Sequence, residues 1–106
     1  MATPVCFPIT QIGNNSTASA TTISVPATSV SSPIVIGNNV LFRIVATTPI
    51  NVRFGPSSLN TATANDVYVP GNVIDIHDMG SQLNTIVIFN PGASAVSVNV
   101  AILSRT

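Results

Sequence analysis

One stretch decides the fold: residues 85–103 read TIVIFNPGASAVSVNVAIL. From Val96 to Ile102 every second residue is a large apolar one, a period that predicts a β-strand with a single buried face. Thr85–Phe89 is apolar on both faces, as expected of a strand in the middle of a β-rich core. The residues between these runs, 90–94, favour a turn. We therefore expect the two runs to pair as a hairpin.

The same alternation recurs in the middle of the chain. Asn39–Thr47 alternates large apolar residues with more variable ones, and Ile50–Phe54 repeats the pattern after a turn at Thr48 and Pro49. The pattern predicts a second hairpin. It would bring Arg43 and Arg53 onto the same face of one sheet.

Further short strands are predicted on both sides of these runs. Asp66–Val69 precedes a turn at residues 70–72, and Val73–His77 follows it, with Ile74 and Ile76 expected to point inward and Asp75 and His77 outward. Earlier in the chain we expect strands at Val5–Ile12 and Thr21–Val25. The total is about eight strands. The predicted fold is a single all-β domain over residues 1–106, a β-sandwich of either jelly-roll or Greek-key type.

Charge is scarce throughout the chain. Lys and Glu are absent, the formal net charge is +0, and 45% of the residues are hydrophobic. Soluble domains usually carry about a quarter charged residues and a net charge away from zero. The composition therefore predicts a protein that lies against other protein, and it opposes binding to nucleic acid or to an anionic membrane surface.

The first third of the chain differs from the rest. Residues 13–35 are rich in Ser and Thr, which predicts an extended or arm-like segment. The N-terminal residues are apolar but lack a basic side chain and contain Pro4 and Pro8, so they do not resemble a secretion signal. Cys6 is the single cysteine, so no intrachain disulfide can form. We expect synthesis in a cytoplasm, where Cys6 would stay reduced.

Titratable groups concentrate only at Asp75-Ile76-His77-Asp78. One His and two carboxylates are too few ligands for a predicted metal site, although Asp66 could approach them; Ca²⁺ would fit oxygen ligands better than Zn²⁺. No Gly-rich phosphate loop or nucleophile motif is present. Cys6 could meet His77 in space, but a Cys between apolar neighbours is more typical of a buried position. The prediction is no enzyme, no metal and no cofactor.

Five residues are predicted to contact a partner protein. Arg is enriched at protein–protein contacts, where its fork-like group pairs with carboxylates. Arg43 and Arg53 lie on otherwise uncharged strands, which favours an interface role for them. The other candidates for contact with a partner are Tyr68, Asp75 and His77.

The order of elements from Ile50 to Ile102 resembles that of small virion proteins of tailed bacteriophages. The resemblance is carried by residues 51–55 (NVRFG), a polar loop, residues 66–72 (DVYVPGN) and the strands that follow. It implies a small β-sandwich that decorates or cements a capsid. The expected partners are then the major capsid protein and further copies of the chain, and the expected location is the outer surface of a virion.

Two other functions remain open on the sequence alone. A receptor- or carbohydrate-binding sandwich on a fibre or spike would use Tyr68 and the Asp75–Asp78 segment. A head–tail or tail component would share this composition and assemble into rings.

Overall fold

The computed structural model describes residues 20–105, and in this part of the chain every regular element is a β-strand. The strands are β1 (Ala20–Val25), β2 (Ser29–Val30), β3 (Ile34–Val35), β4 (Val40–Ala46), β5 (Ile50–Gly55), β6 (Val67–Val69), β7 (Asp75–Asp78), β8 (Thr85–Asn90) and β9 (Val96–Arg105). The all-β prediction is confirmed. The predicted strand at Val5–Ile12, Cys6, and residues 13–19 lie outside the described residues.

The strands form two antiparallel sheets that face each other. The first sheet has the order β1-β9-β4-β7 and the second has the order β2-β8-β5-β6, with β3 also paired to β8. Apart from β2–β3 and β5–β6, each strand is followed by one in the opposite sheet. This order is that of a jelly roll, one of the two sandwich types that the sequence left open.

The edge strand beside β8 is interrupted, which explains why nine short strands occupy eight positions. β2 and β3 both pair with β8, and Pro33 lies between them. Ser31 spans the interruption: its N–H donates to the Ile88 carbonyl (2.7 Å) and its Oγ accepts from the Ile88 N–H (3.0 Å). The Ser31 hydroxyl thus accepts the hydrogen bond that a backbone carbonyl of a neighbouring strand would normally accept from Ile88. Residues 20–35, part of the predicted arm, belong to the two sheets.

The core lies between the sheets and follows the predicted alternation. In β4 the residues alternate strictly between buried and half-buried, starting with buried Val40, and in β9 alternate residues from Val96 to Ile102 are buried. Phe42 is the largest fully buried side chain. A period-two strand that covers a core on one face produces this pattern.

Both predicted hairpins are wrong, for a common reason. β8 pairs with β5 and β9 pairs with β4, so the turn at residues 91–95 carries the chain from one sheet to the other. The turn after β4 does the same. Alternation and turn residues show where the chain reverses, but both faces of a sandwich core accept the same pattern. Arg43 and Arg53 are therefore on the outer faces of opposite sheets.

Asn90 holds the crossing from β8 to β9 in place. Its buried side-chain amide donates to the carbonyls of Val25 (3.0 Å), Pro26 (3.2 Å) and Ser94 (2.8 Å). Its Oδ1 accepts from the Gly92 N–H at 2.9 Å. This one side chain satisfies backbone groups where β1 ends and β8 turns towards β9, as a buried polar group must.

The hairpin that does form joins β5 to β6 through a long loop, residues 56–66. Asn51 lies on the outer face of β5, yet it is buried, and its amide donates to the carbonyls of Ala64 (3.4 Å) and Asp66 (3.2 Å). Val87 and Ala62 are also buried, although neither belongs to the core between the sheets. The loop thus covers part of the outer face of the second sheet.

Candidate assembly interface

Large apolar side chains are exposed along the edges of the sheets. Among residues 20–104, each such side chain lies on an edge strand, β2, β3, β6 or β7, or directly before one. They are Val30 (41% exposed), Val35 (71%), Val67 (46%), Tyr68 (61%), Val73 (49%), Ile74 (61%) and Ile76 (55%). Natural sheets usually protect their edges with charges, Pro or bulges. These apolar edges are therefore suited to contact with other protein.

The side chains of β7 face the opposite way from the prediction. Ile74 and Ile76 point outward, whereas His77 and Asp75 turn toward the space between the sheets, with side chains 19% and 32% exposed. The His77 ring lies 5.8 Å from the Phe42 ring and 5.3 Å from the Phe54 ring, measured between centroids. An imidazole is flat enough to pack on two aromatic rings while its nitrogens remain available for hydrogen bonds.

Asp75 completes this arrangement. Its Oδ2 lies 2.9 Å from Nε2 of His77, two residues along the same strand face. The carboxylate gives the imidazole a partner where the ring leaves the core. The pair therefore closes one side of the sandwich, and the isoleucines occupy the outer face by alternation.

Arg53 is held within the chain. Its Nε donates to Oδ1 of Asp66 at 2.9 Å, and Oδ2 of Asp66 accepts from the Thr63 N–H at 2.7 Å. The hydrogen bond from Arg53 is the main reason why the pKa of Asp66 is lower than its ordinary value. The two residues fasten the 56–66 loop to β5.

Arg43 belongs to a polar row across the first sheet. Its Nη2 donates to Oδ1 of Asn99 (3.0 Å), and Nδ2 of Asn99 donates to Oγ1 of Thr22 (3.0 Å). The row joins β4, β9 and β1. The Nε of Arg43 is buried and has no hydrogen-bond partner among the described residues.

Tyr68 and Asp78 are the remaining residues of interest. Tyr68 is opposite Asn51 on β6, and its ring is exposed. Asp78 is exposed at the end of β7, where its Oδ1 accepts from the Gly80 N–H at 3.1 Å. The five predicted interface residues are thus spread over both sheets, and Asp75 and His77 are joined by a hydrogen bond.

Of the four most exposed members of the apolar edges, only Tyr68 was among the predicted interface residues. Val35 was part of the predicted arm, residues 13–35, and Ile74 and Ile76 were expected to point inward. A signal existed at β7: a His that alternates with isoleucine can pack on aromatic rings. The alternation in β7 does not by itself show which face of the strand is buried.

The remaining features of residues 20–105 concern metal ligands, a groove and apolar segments. No group of three or more His, Cys, Asp or Glu side chains is close enough to hold a metal ion there. An open groove of about 420 Å³ lies between β1 and the β2–β3 edge, lined by residues that include Ile23, Val30 and Ile34. The described part of the chain contains no helix that could cross a membrane.

Comparison with known proteins supports the fold. No family model matches the chain, and no curated protein is similar to it in sequence. It is similar to the "Solution NMR structure of a de novo designed double-stranded beta-helix", with a TM-score of 0.56 and 12% identity, over 78% of this chain and 96% of that chain. At this identity the likeness concerns the fold alone, two sheets wound around one core.

Proposed function

We propose that this chain is a structural subunit of a virus particle, a cement or decoration protein that binds the major capsid protein at the outer surface and stabilises the shell. One observation carries the proposal: large apolar side chains are exposed at the sheet edges, while the described charged side chains are hydrogen-bonded within the chain. Arg43, Arg53, Asp66, Asp75 and Asp78 each have a hydrogen-bond partner within the chain.

This distribution favours association for a simple energetic reason. Burying a charged group at an interface requires removing its water, and that cost often exceeds the gain from a new ion pair. Here few charges need to lose water, and the exposed apolar edges gain about 25 cal/mol for each Å² that they bury. Strand edges can add backbone hydrogen bonds to a neighbouring strand.

The proposal is tested by adding the purified chain to shells assembled from a candidate major capsid protein. We expect the chain to sediment with the shells at a saturating ratio and to raise the temperature at which they disassemble. A variant with Lys at Val35, Tyr68 and Ile76 should bind at least tenfold more weakly. A matched control has Lys at Ser57, Thr61 and Ser81, which are exposed polar positions. Equal binding by both variants, or no sedimentation of the unmodified chain, contradicts the proposal.

A carbohydrate-binding module is the second candidate, and Tyr68 is the observation that favours it. Its ring is 61% exposed on the outer face of the second sheet. Aromatic rings of this kind offer an apolar platform with a polar tip. Binding to a glycan array that is lost in Tyr68→Ala would support this function, and an array without hits would remove it.

A further inference from the structure

We infer that two copies of this chain join edge to edge through β7, antiparallel and about a two-fold axis at Ile76. The two four-stranded sheets would then form one continuous eight-stranded sheet. The inference rests on the proposed function in that it takes the apolar edges as assembly surfaces. It goes further by naming the occupant of one edge, a second copy.

The backbone of β7 is prepared for this pairing. The Met79 N–H donates to the Val40 carbonyl at 2.9 Å, directly beyond the paired residues Leu41 and Asp78. In an antiparallel ladder, hydrogen-bonded and non-bonded pairs alternate. His77 and Asp75 therefore direct their backbone groups toward β4, and Ile76 and Asp78 direct theirs away from it. No other strand of the described residues pairs with this side of β7.

The side chains select the register. With Ile76 opposite Ile76 of the second copy, two exposed apolar side chains meet, and Asp75 faces the partner's His77 on both sides of the axis. This register also places Ile74 opposite the partner's Asp78 at each end. A register centred on His77 would place Ile76 itself opposite the partner's Asp78 and would pair no apolar side chains. One centred on Asp75 would oppose two carboxylates, which destabilises a strand pair. Each of these registers has two-fold symmetry, and the one at Ile76 pairs an exposed apolar side chain with its own copy without opposing like charges.

The other edges fit a second copy less well. β6 has three residues, and β2 and β3 have two each, with Pro33 between them. β1 is longer but carries no exposed large apolar side chain. β7 combines four continuous residues with Ile76 on the strand and Val73 and Ile74 directly before it.

A cysteine placed on the axis tests the geometry in the full chain. Opposite residues in a hydrogen-bonded antiparallel pair have Cα atoms about 5.5 Å apart, within the range of a disulfide. In a Cys6→Ser background, Ile76→Cys should give at least tenfold more disulfide-linked dimer under mild oxidation than Val35→Cys. Val35 is the matched control because it is the more exposed of the two, at 71% against 55%. Equal or greater cross-linking at residue 35 overturns the inference.

A proline tests the backbone hydrogen bonds. Ile76→Pro removes an N–H that points away from β4, so the variant should stay folded, with an unchanged far-UV circular dichroism spectrum. Light scattering should show the unmodified chain at twice the 10.9 kDa of a monomer and the variant at the monomer mass. An unmodified chain that stays monomeric at all concentrations, or a variant that remains a dimer, overturns the inference. If the unmodified chain is a monomer that still binds shells, the dimer inference fails and the proposed function stands. If it is a dimer that binds no shells, the dimer inference stands and the proposed function fails.

Discussion

At the scale of single residues, polar side chains hold strands and turns together through hydrogen bonds and ring contacts. Asn90 satisfies three carbonyls where the chain passes between sheets, and Arg53 holds Asp66. His77 covers Phe42 and Phe54 at one side of the core. Because these groups find partners inside the chain, few are left to keep the surface charged.

His77 gives a prediction about stability. His77→Ala should lower the free energy of unfolding by about 1–3 kcal/mol, because it removes two ring contacts and opens the core. His77→Phe should retain most of the stability. Urea titrations at low protein concentration, where association does not contribute, provide the measurement.

The neighbouring residue supplies the control. Ile76→Ala should change the free energy of unfolding by less than about 0.5 kcal/mol, since the side chain points outward. A loss of 2 kcal/mol or more, in the range of about 2–5 kcal/mol typical of a buried isoleucine, would contradict the orientation of β7.

At the scale of elements, the edges and the 56–66 loop show what alternation can and cannot predict. The bounds of β1, β5 and β6 agree with the predicted strands to within a residue, because each ends at Pro, Gly or a polar turn. The hairpin partners and the facing of β7 were wrong, since a strand pattern does not name its neighbour. Only contacts distant in sequence, such as Phe42 with His77, decide these points.

The loop that joins β5 to β6 carries a prediction about pH. The pKa of Asp66 lies below its ordinary value of 3.8 in the folded chain. The unfolded state therefore binds the proton more tightly, and the carboxylate stabilises the fold at higher pH. This stabilisation should disappear as the pH falls below about 4 and through the folded pKa.

Thermal midpoints measured from pH 7 to pH 2 check the expectation. The fall at acid pH should be smaller in Asp66→Asn than in the unmodified chain. Arg53→Gln, which removes the main cause of the lowered pKa of Asp66, should reduce the fall in the same way. If the thermal midpoint of Asp66→Asn falls at acid pH as much as that of the unmodified chain, the Arg53–Asp66 pair does not stabilise the loop.

At the scale of the whole molecule, the jelly roll leaves strand edges that most monomers would protect. These edges carry exposed apolar side chains in place of charges. The exposed edges lie on both sheets, so one copy can contact more than one neighbour.

Solubility provides the corresponding prediction. Lys at Val35, Tyr68 and Ile76 together should raise the concentration at which light scattering first increases by several fold. The same number of Lys residues at Ser57, Thr61 and Ser81 adds equal charge and should raise it less. Equal gains would show that net charge, and not the apolar edges, limits solubility.

The sequence by itself determined the fold class and the positions of most of the described strands, because alternation and turn residues are local properties. The tertiary structure alone decided which strands pair, that the sandwich is a jelly roll, and that Arg43 and Arg53 are on opposite faces. It also decided that His77 turns to the core and Ile76 to the outside. The reason is physical: two sheets share one core, and either sheet, or either face of an edge strand, can satisfy the same local pattern until distant side chains pack against it.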